Sequence, residues 1–388
     1  MVAYGNKRDI TVFHVVNILY WLSLYTYTPY ISPLSASTGA TATEIGIIAG
    51  SYGLAMLCCR IPLGIWSDRI RRRKVFVMAG SLCTFFAALG MGISTTPVMM
   101  FMFRMLSGVG ASTWVCSSIL FNSYFPADKS NKAIAAANLT SSIGRCIAGA
   151  VGAAAAAWLN IRSAFLAGAT AGLFAFIGST FLRESKIIIR PIRFVDLLVL
   201  LRDPRLLFAG VGCALHQMTC YATGFSFASD LAKNIGASTF QIGLLGMMLA
   251  LGAVIGTFLL PRYLSVRMAE KKILLICLLA TGCTCVAFPF AGTIFTLFAI
   301  QLCSGLIAGI LGAIFMAMSI RRVHDELKAT AMGIYQALYA GGILLGPAVT
   351  GILIDKLGYI QAFMAMGVIA IVDAGLILLL YDMLKFKM

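Results

Sequence analysis

Three arginines, Arg60, Arg104 and Arg145, each stand inside a run of about twenty mostly apolar residues. An arginine at the centre of a membrane helix costs about 2.5–3.5 kcal/mol on insertion scales, so each needs a partner or a task. A guanidinium is a planar fork that takes a carboxylate or phosphate through two hydrogen bonds, a geometry lysine does not reproduce. Matching anions are scarce: of fourteen Asp and Glu, only Asp373 lies well inside an apolar run. The imbalance predicts a positive interior suited to an anion, with Asp373 as a possible proton site. Polar and aromatic side chains in other apolar runs complete a candidate lining: Asn17, Tyr20, Tyr25, His216, Gln217 and Gln301, followed by Tyr335, Gln336 and Tyr339. Catalytic chemistry has no comparable signal. His14, His216 and His324 are far apart, Cys283-Thr-Cys285 lacks metal-ligand spacing, and no G-x-x-x-x-G-K-[ST] phosphate loop occurs. No catalytic group, metal or cofactor is expected.

The elements that hold these residues follow from composition. Hydrophobic residues make up 60% of the chain and charged residues 11%, and crossing hydrocarbon takes about twenty apolar residues per helix. Twelve segments qualify: 10–33, 43–67, 74–94, 97–124, 133–158, 162–182, 205–230, 240–261, 272–291, 294–320, 328–354 and 360–381. The expected class is an all-α integral membrane protein, and the nine residues before the first segment do not read as a cleavable leader. The net charge of +16 does not signal nucleic acid. Of thirty Lys and Arg, 24 fall in the termini and alternate loops, and three (Arg162, Lys233, Lys356) in the opposite loops. That bias orients the chain in a cytoplasmic membrane with both termini in the cytoplasm. Trp66 and Trp158 sit near segment ends, as interfacial belt residues do.

The loop between segments 2 and 3 reads Gly64-Ile-Trp-Ser-Asp68-Arg69-Ile-Arg71-Arg72-Arg73-Lys74. Glycine, aspartate four residues on and a burst of cations closely resemble the G-x-x-x-D-R-x-G-R-R/K signature of the major facilitator superfamily, with Arg71 at the second glycine. Segment 4 supports the resemblance: Arg104-x-x-Ser107-Gly108-x-Gly110-Ala111 is similar to the superfamily's R-x-x-Q-G-x-G-A, serine replacing glutamine. The resemblance implies twelve helices in two pseudo-symmetric six-helix bundles, with helices 1, 4, 7 and 10 lining a central cavity. It also implies a gate made by Arg60, Gly64, Asp68, Arg69, Arg72, Arg73 and Asp128. Asp68 would dock on the N-terminus of helix 11 near Lys328, while Arg72 and Arg73 hold the loop through carboxylates such as Asp128. The antiporter signature of helix 5 is not met, since Ala150 occupies its proline slot.

The chain also repeats itself. Gly39-Ala-Thr-Ala-Thr-Glu-Ile45-Gly46 corresponds to Gly236-Ala-Ser-Thr-Phe-Gln-Ile242-Gly243 at an offset of 197. The expected organisation is an N-terminal bundle at 1–182, a cytoplasmic linker with an interfacial helix at 183–204, and a C-terminal bundle at 205–388. Parallel repeats of this kind place a substrate site at their interface near the bilayer midplane. Arg104 and Arg145 are expected at adjoining depths of that cavity, with Arg104, Gly108, Ala111 and Val115 on one lining face.

The function these features predict is secondary transport of a small organic solute by alternating access, favouring an organic or phosphate-bearing anion. A proton-coupled multidrug efflux antiporter is the alternative, and a transport-dead sensor or a membrane enzyme a remote one. The expected partners are the solute, the lipid bilayer and a co- or counter-transported ion, a proton, on a monomeric carrier.

Overall fold

A computed structural model of the chain describes residues 5–70, 72–126, 129–184, 194–324 and 327–384, which form helices and no strands. Eleven described helices are long and apolar enough to cross a membrane, and a twelfth crossing is interrupted. The first bundle contains α1 (Lys7–Ser37), α2 (Ala42–Ile70), α3 (Arg73–Ile93), α4 (Pro97–Asn122), α5 (Ser130–Trp158) and α6 (Ile161–Thr180). After a short linker helix at Phe194–Leu200 comes α7, residues 204–234. It is α-helical over Pro204–Cys220, π-helical over Tyr221–Phe227 and α-helical again over Ala228–Asn234. The second bundle continues with α8 (Thr239–Arg267), α9 (Glu270–Phe290), α10 (Ile294–Ile320), α11 (Lys328–Leu357) and α12 (Tyr359–Leu380). Twelve crossings leave both ends of the chain on one face, called here the termini face.

Local chemistry explains the boundaries. Asp203 accepts from the Arg205 N–H at 2.9 Å, and Pro204 occupies the first turn of α7, where its missing donor costs nothing. The repeat seen in sequence is a repeat of caps. Thr41 and Glu44 exchange side-chain and backbone hydrogen bonds before α2, and Ser238 and Gln241 do the same before α8. Each box follows a glycine with positive φ, +87° at Gly39 and +80° at Gly236, which ends the preceding helix without a Cβ clash. Two expected segments are longer and broken. Segment 1 carries a 3-10 turn at Thr28–Tyr30, where Pro29 lacks an N–H, and segment 7 carries the π-helical stretch.

The bundles meet through α2 against α11 and α5 against α8, at the ends away from the termini face. A Cβ on Gly50 would stand 2.5 Å from the Leu344 carbonyl, and one on Gly149 would stand 2.7 Å from the Met247 amide. Only glycine permits so close an approach of backbones. Inter-bundle hydrogen bonds lie at the same ends: Tyr30 to the Thr239 carbonyl at 2.9 Å, Ser32 to Asp230 at 2.6 Å, and the Thr43 amide to Asp355 at 2.8 Å. Trp66 and Trp158 are exposed near helix ends, as expected of interfacial residues.

Candidate functional site

Between the bundles lies a cavity of about 340 Å³, at the low end of the roughly 300–1,000 Å³ usual for small-molecule sites. Eight helices line it: α1, α2, α4, α5, α7, α8, α10 and α11. Its walls extend from mid-membrane toward the termini face, where Asn138, Thr257 and Met316 lie in the halves of their helices on that side. The opposite end is sealed by the glycine contacts just described.

Arg145 and Arg60 are the cations of this cavity. The Arg145 guanidinium carbon lies 5.0 Å from the Trp21 ring centre and 5.7 Å from that of Tyr25. Its hydrogen bonds, to the Ser141 carbonyl and the Ser142 hydroxyl, are both long at 3.4 Å. A cation held by ring faces and weak contacts keeps strong donors for a ligand. Arg60 is 2% exposed; it donates to the Tyr339 hydroxyl at 3.1 Å, and its Nε has no partner. No Asp or Glu is among the described lining residues. Tyr25, Gln217, Tyr335, Gln336 and Tyr339 line the cavity, and the Gln336 Oε1 has no hydrogen-bond partner.

Other candidates stand outside the lining. Arg104 is 5% exposed, and its guanidinium lies 4.4 Å from the ring centre of Tyr52. It borders a separate void of about 10 Å³ that shares Tyr221 and Phe225 with the main cavity. The α4 face expected to line the cavity packs on α2 instead, because Gly108 lets that helix in close: a Cβ there would meet Ala55 Cβ at 2.8 Å. Trp114 is what α4 contributes to the lining. Asn17 donates to the Ala137 carbonyl at 2.9 Å and to Thr140 at 2.8 Å, fastening α1 to α5. Tyr20 donates to the Gly110 carbonyl at 2.5 Å. Gln301 donates to the Gly224 carbonyl at 2.7 Å, occupying an acceptor in the π-helical stretch. His216 is buried behind the wall with neither ring nitrogen paired. Asp373 is 0% exposed, and both its carboxyl oxygens lack partners. It lies against α7, where a Cβ on Gly212 would be 3.4 Å from its Oδ1.

Sequence comparison decides the family. The model of the Major Facilitator Superfamily matches residues 13–219 and again residues 207–385. The chain belongs to the Major Facilitator Superfamily. Among relatives, it is 22% identical over 340 residues to the human chromaffin granule amine transporter, covering 86% of this chain and 64% of that protein. The rat counterpart is 23% identical over 339 residues, with 86% and 65% covered. The chain thus spans slightly under two thirds of these relatives. Among solved structures, a bacterial homologue of the human lysosomal transporter Spinster, inward-facing and unoccupied, is similar at a TM-score of 0.77 and 15% identity, covering 97% of both chains. The nucleoside transporter NupG gives a TM-score of 0.78 at 15% identity, covering 98% of this chain and 100% of its own. The human organic anion transporter TETRAN gives 0.69 at 16%, with 96% and 99% covered. At such identities these likenesses concern the fold.

The superfamily loop is partly in view. Arg69 and Arg72 are exposed and Arg73 is buried; the side chain of Asp68, and all of Arg71 and Asp128, lie outside the described residues. Glu184 does hold this loop: its carboxylate accepts the Arg73 and Lys74 amides at 3.0 and 2.9 Å, capping α3. Gly64 faces Val115 of α4, whose side chain would stand 3.8 Å from a Cβ at that position.

Sequence reasoning missed Tyr52 and Asp355. For Asp355 a signal existed. Gly351-Ile-Leu-Ile-Asp355-Lys356-Leu357 ends α11 in the same order as Gly64-Ile-Trp-Ser-Asp68-Arg69-Ile70 ends α2. The second copy lies on the opposite face of the membrane domain and falls outside the 197-residue offset.

Proposed function

We propose that this chain is a secondary transporter that carries a small organic anion across the cytoplasmic membrane by alternating access. One observation carries the reading: the inter-bundle cavity presents Arg60 and Arg145 and, among the described residues, no carboxylate. A ligand carboxylate or phosphate would meet desolvated guanidinium donors there. An amine would find no counter-charge, so the relatives named for amines do not supply the substrate class. With the termini in the cytoplasm, as the cation bias predicts, the sealed end faces outward and the cavity belongs to an inward-facing state. Arg104, behind Tyr52, then acts on the conformational change rather than on the ligand. A proton is the proposed coupling ion and Asp373 its carrier, because this buried carboxyl has no hydrogen-bond partner and sits beside the α7 wall.

Uptake and counterflow of carboxylates and phosphate esters by purified protein in proteoliposomes test this. The expected result is saturable anion flux that Arg145→Gln removes while the protein still folds. Flux of organic cations with indifference to Arg145→Gln would replace anion transport with drug efflux.

A further inference from the structure

Two unlike groups of residues line the cavity. In one stand rings and cations: Trp21, Tyr25, Trp114 and Tyr339 with Arg60 and Arg145. In the other, α8 and α10 contribute mainly glycine and alanine (Gly246, Ala250 and Ala253 from α8, and Gly309, Gly312 and Ala313 from α10), with Leu249, Thr257 and Met316 as their larger lining side chains. Gly246, Ala250 and Ala253 are three or four residues apart, as are Gly309 with Gly312 and Gly309 with Ala313, so each set lies on one face of its helix. The two helices are locked closely together, where a Cβ on Gly252 would meet the Leu306 amide at 2.7 Å and one on Gly309 would meet Ala253 Cα at 2.9 Å. The result is a closely packed wall made largely of glycine and alanine.

Gly312 is the telling position. It lines the cavity, and a Cβ built on it would find no atom within 4 Å. Its missing side chain is not needed for helix packing, unlike that of Gly309, so the space in front of it belongs to the cavity. In the same lining, Arg60 is almost wholly buried with its Nε donor unpartnered. Buried polar atoms left without partners mark where a ligand's polar end completes the site.

Resting on the anion reading above, we infer that the substrate is an amphipathic anion with a flat aromatic body. Its charged head lies toward Arg145 and Arg60, and its ring lies against the α8/α10 wall in the space left open by Gly312. The shape of the slot, rather than any one polar contact, then sets the size of the body accepted. A planar ring packs on aromatic side chains and on glycine-alanine surface of this lining, gaining area burial and offset stacking. A compact anion such as acetate gains neither. In this arrangement Gly312 determines specificity while the arginines determine charge.

The test measures equilibrium binding to the purified full chain with acetate, benzoate and 2-naphthoate, and with methylammonium and benzylammonium as a matched cationic pair. Benzoate is expected to bind at least about tenfold more tightly than acetate, the scale of burying one ring. Gly312→Leu should weaken 2-naphthoate about tenfold and leave acetate within about twofold, while Gly312→Ala keeps the wild-type melting temperature. Equal affinity for acetate and 2-naphthoate, or equal loss of all ligands in Gly312→Leu, overturns the inference. Ring-dependent, Gly312-sensitive binding confined to the ammonium pair would keep the aromatic slot and remove the anion reading. Binding of none of the five probes would overturn both.

Discussion

The Asp355 carboxylate, two residues before the end of α11, accepts the Thr43 amide at 2.8 Å and the Thr43 hydroxyl at 2.6 Å. Thr43 lies in the first turn of α2, in the other bundle, and the Ala42 amide adds a third bond at 3.2 Å. The carboxylate meets unsatisfied N–H groups and the positive end of a helix. The superfamily loop implies the reciprocal arrangement on the termini face, where Asp68 near the end of α2 would dock on the start of α11. Each of these two helices would then offer an N-terminus to the aspartate of the other, one contact for each face.

Asp355→Asn should loosen the seal opposite the termini. The site is solvent-exposed, so a charge-assisted bond there contributes about 1 kcal/mol, roughly a fivefold change in the open population. Labelling of a cysteine placed at Ile354 should accelerate by that factor. Unchanged labelling would show that the glycine contacts of α2 and α11 hold the seal alone.

Arg145→Lys and Arg104→Lys should separate. The first removes a planar fork from the cavity wall and should weaken anion binding about tenfold, or 1.4 kcal/mol. The second alters a residue behind Tyr52 and should slow transport while leaving affinity within about threefold. Equal losses of affinity in binding titrations would return Arg104 to the ligand site.

Gln301→Leu should destabilise α7 where it is π-helical, because the Gly224 carbonyl loses its donor in a buried place. The expected cost is about 1–3 kcal/mol, seen as a lower melting temperature together with slower turnover. A stable variant with normal turnover would show that water replaces the amide.

Asp373→Asn should abolish accumulation driven by a proton gradient and preserve substrate exchange across membranes without one. The substitution keeps size and burial and removes only the acid. Gradient-driven uptake at the wild-type rate would exclude Asp373 as the proton carrier.

Much of this protein was legible in its residues alone. Segment lengths follow from the thickness of hydrocarbon, which demands about twenty apolar residues wherever the chain crosses. The Gly39 and Gly236 turns and their capping boxes are local, so the repeat they mark could be read without a structure. Gly64 and Asp68 with the following cations announced the superfamily for the same reason. Which polar residues meet was not legible, because it depends on how far each helix rotates and how closely it packs. Gly108 draws α4 onto α2 and turns Arg104 behind Tyr52, whereas Gly149 and Gly152 set α5 against α8 and α1 and leave Arg145 facing the cavity. Asn17, Tyr20 and Gln301 carry the same side-chain types as Tyr25, Gln217 and Gln336. Only packing decided that the first three fasten helices and the others line the space between them, since a buried amide or phenol takes whichever partner the neighbouring backbone brings within reach.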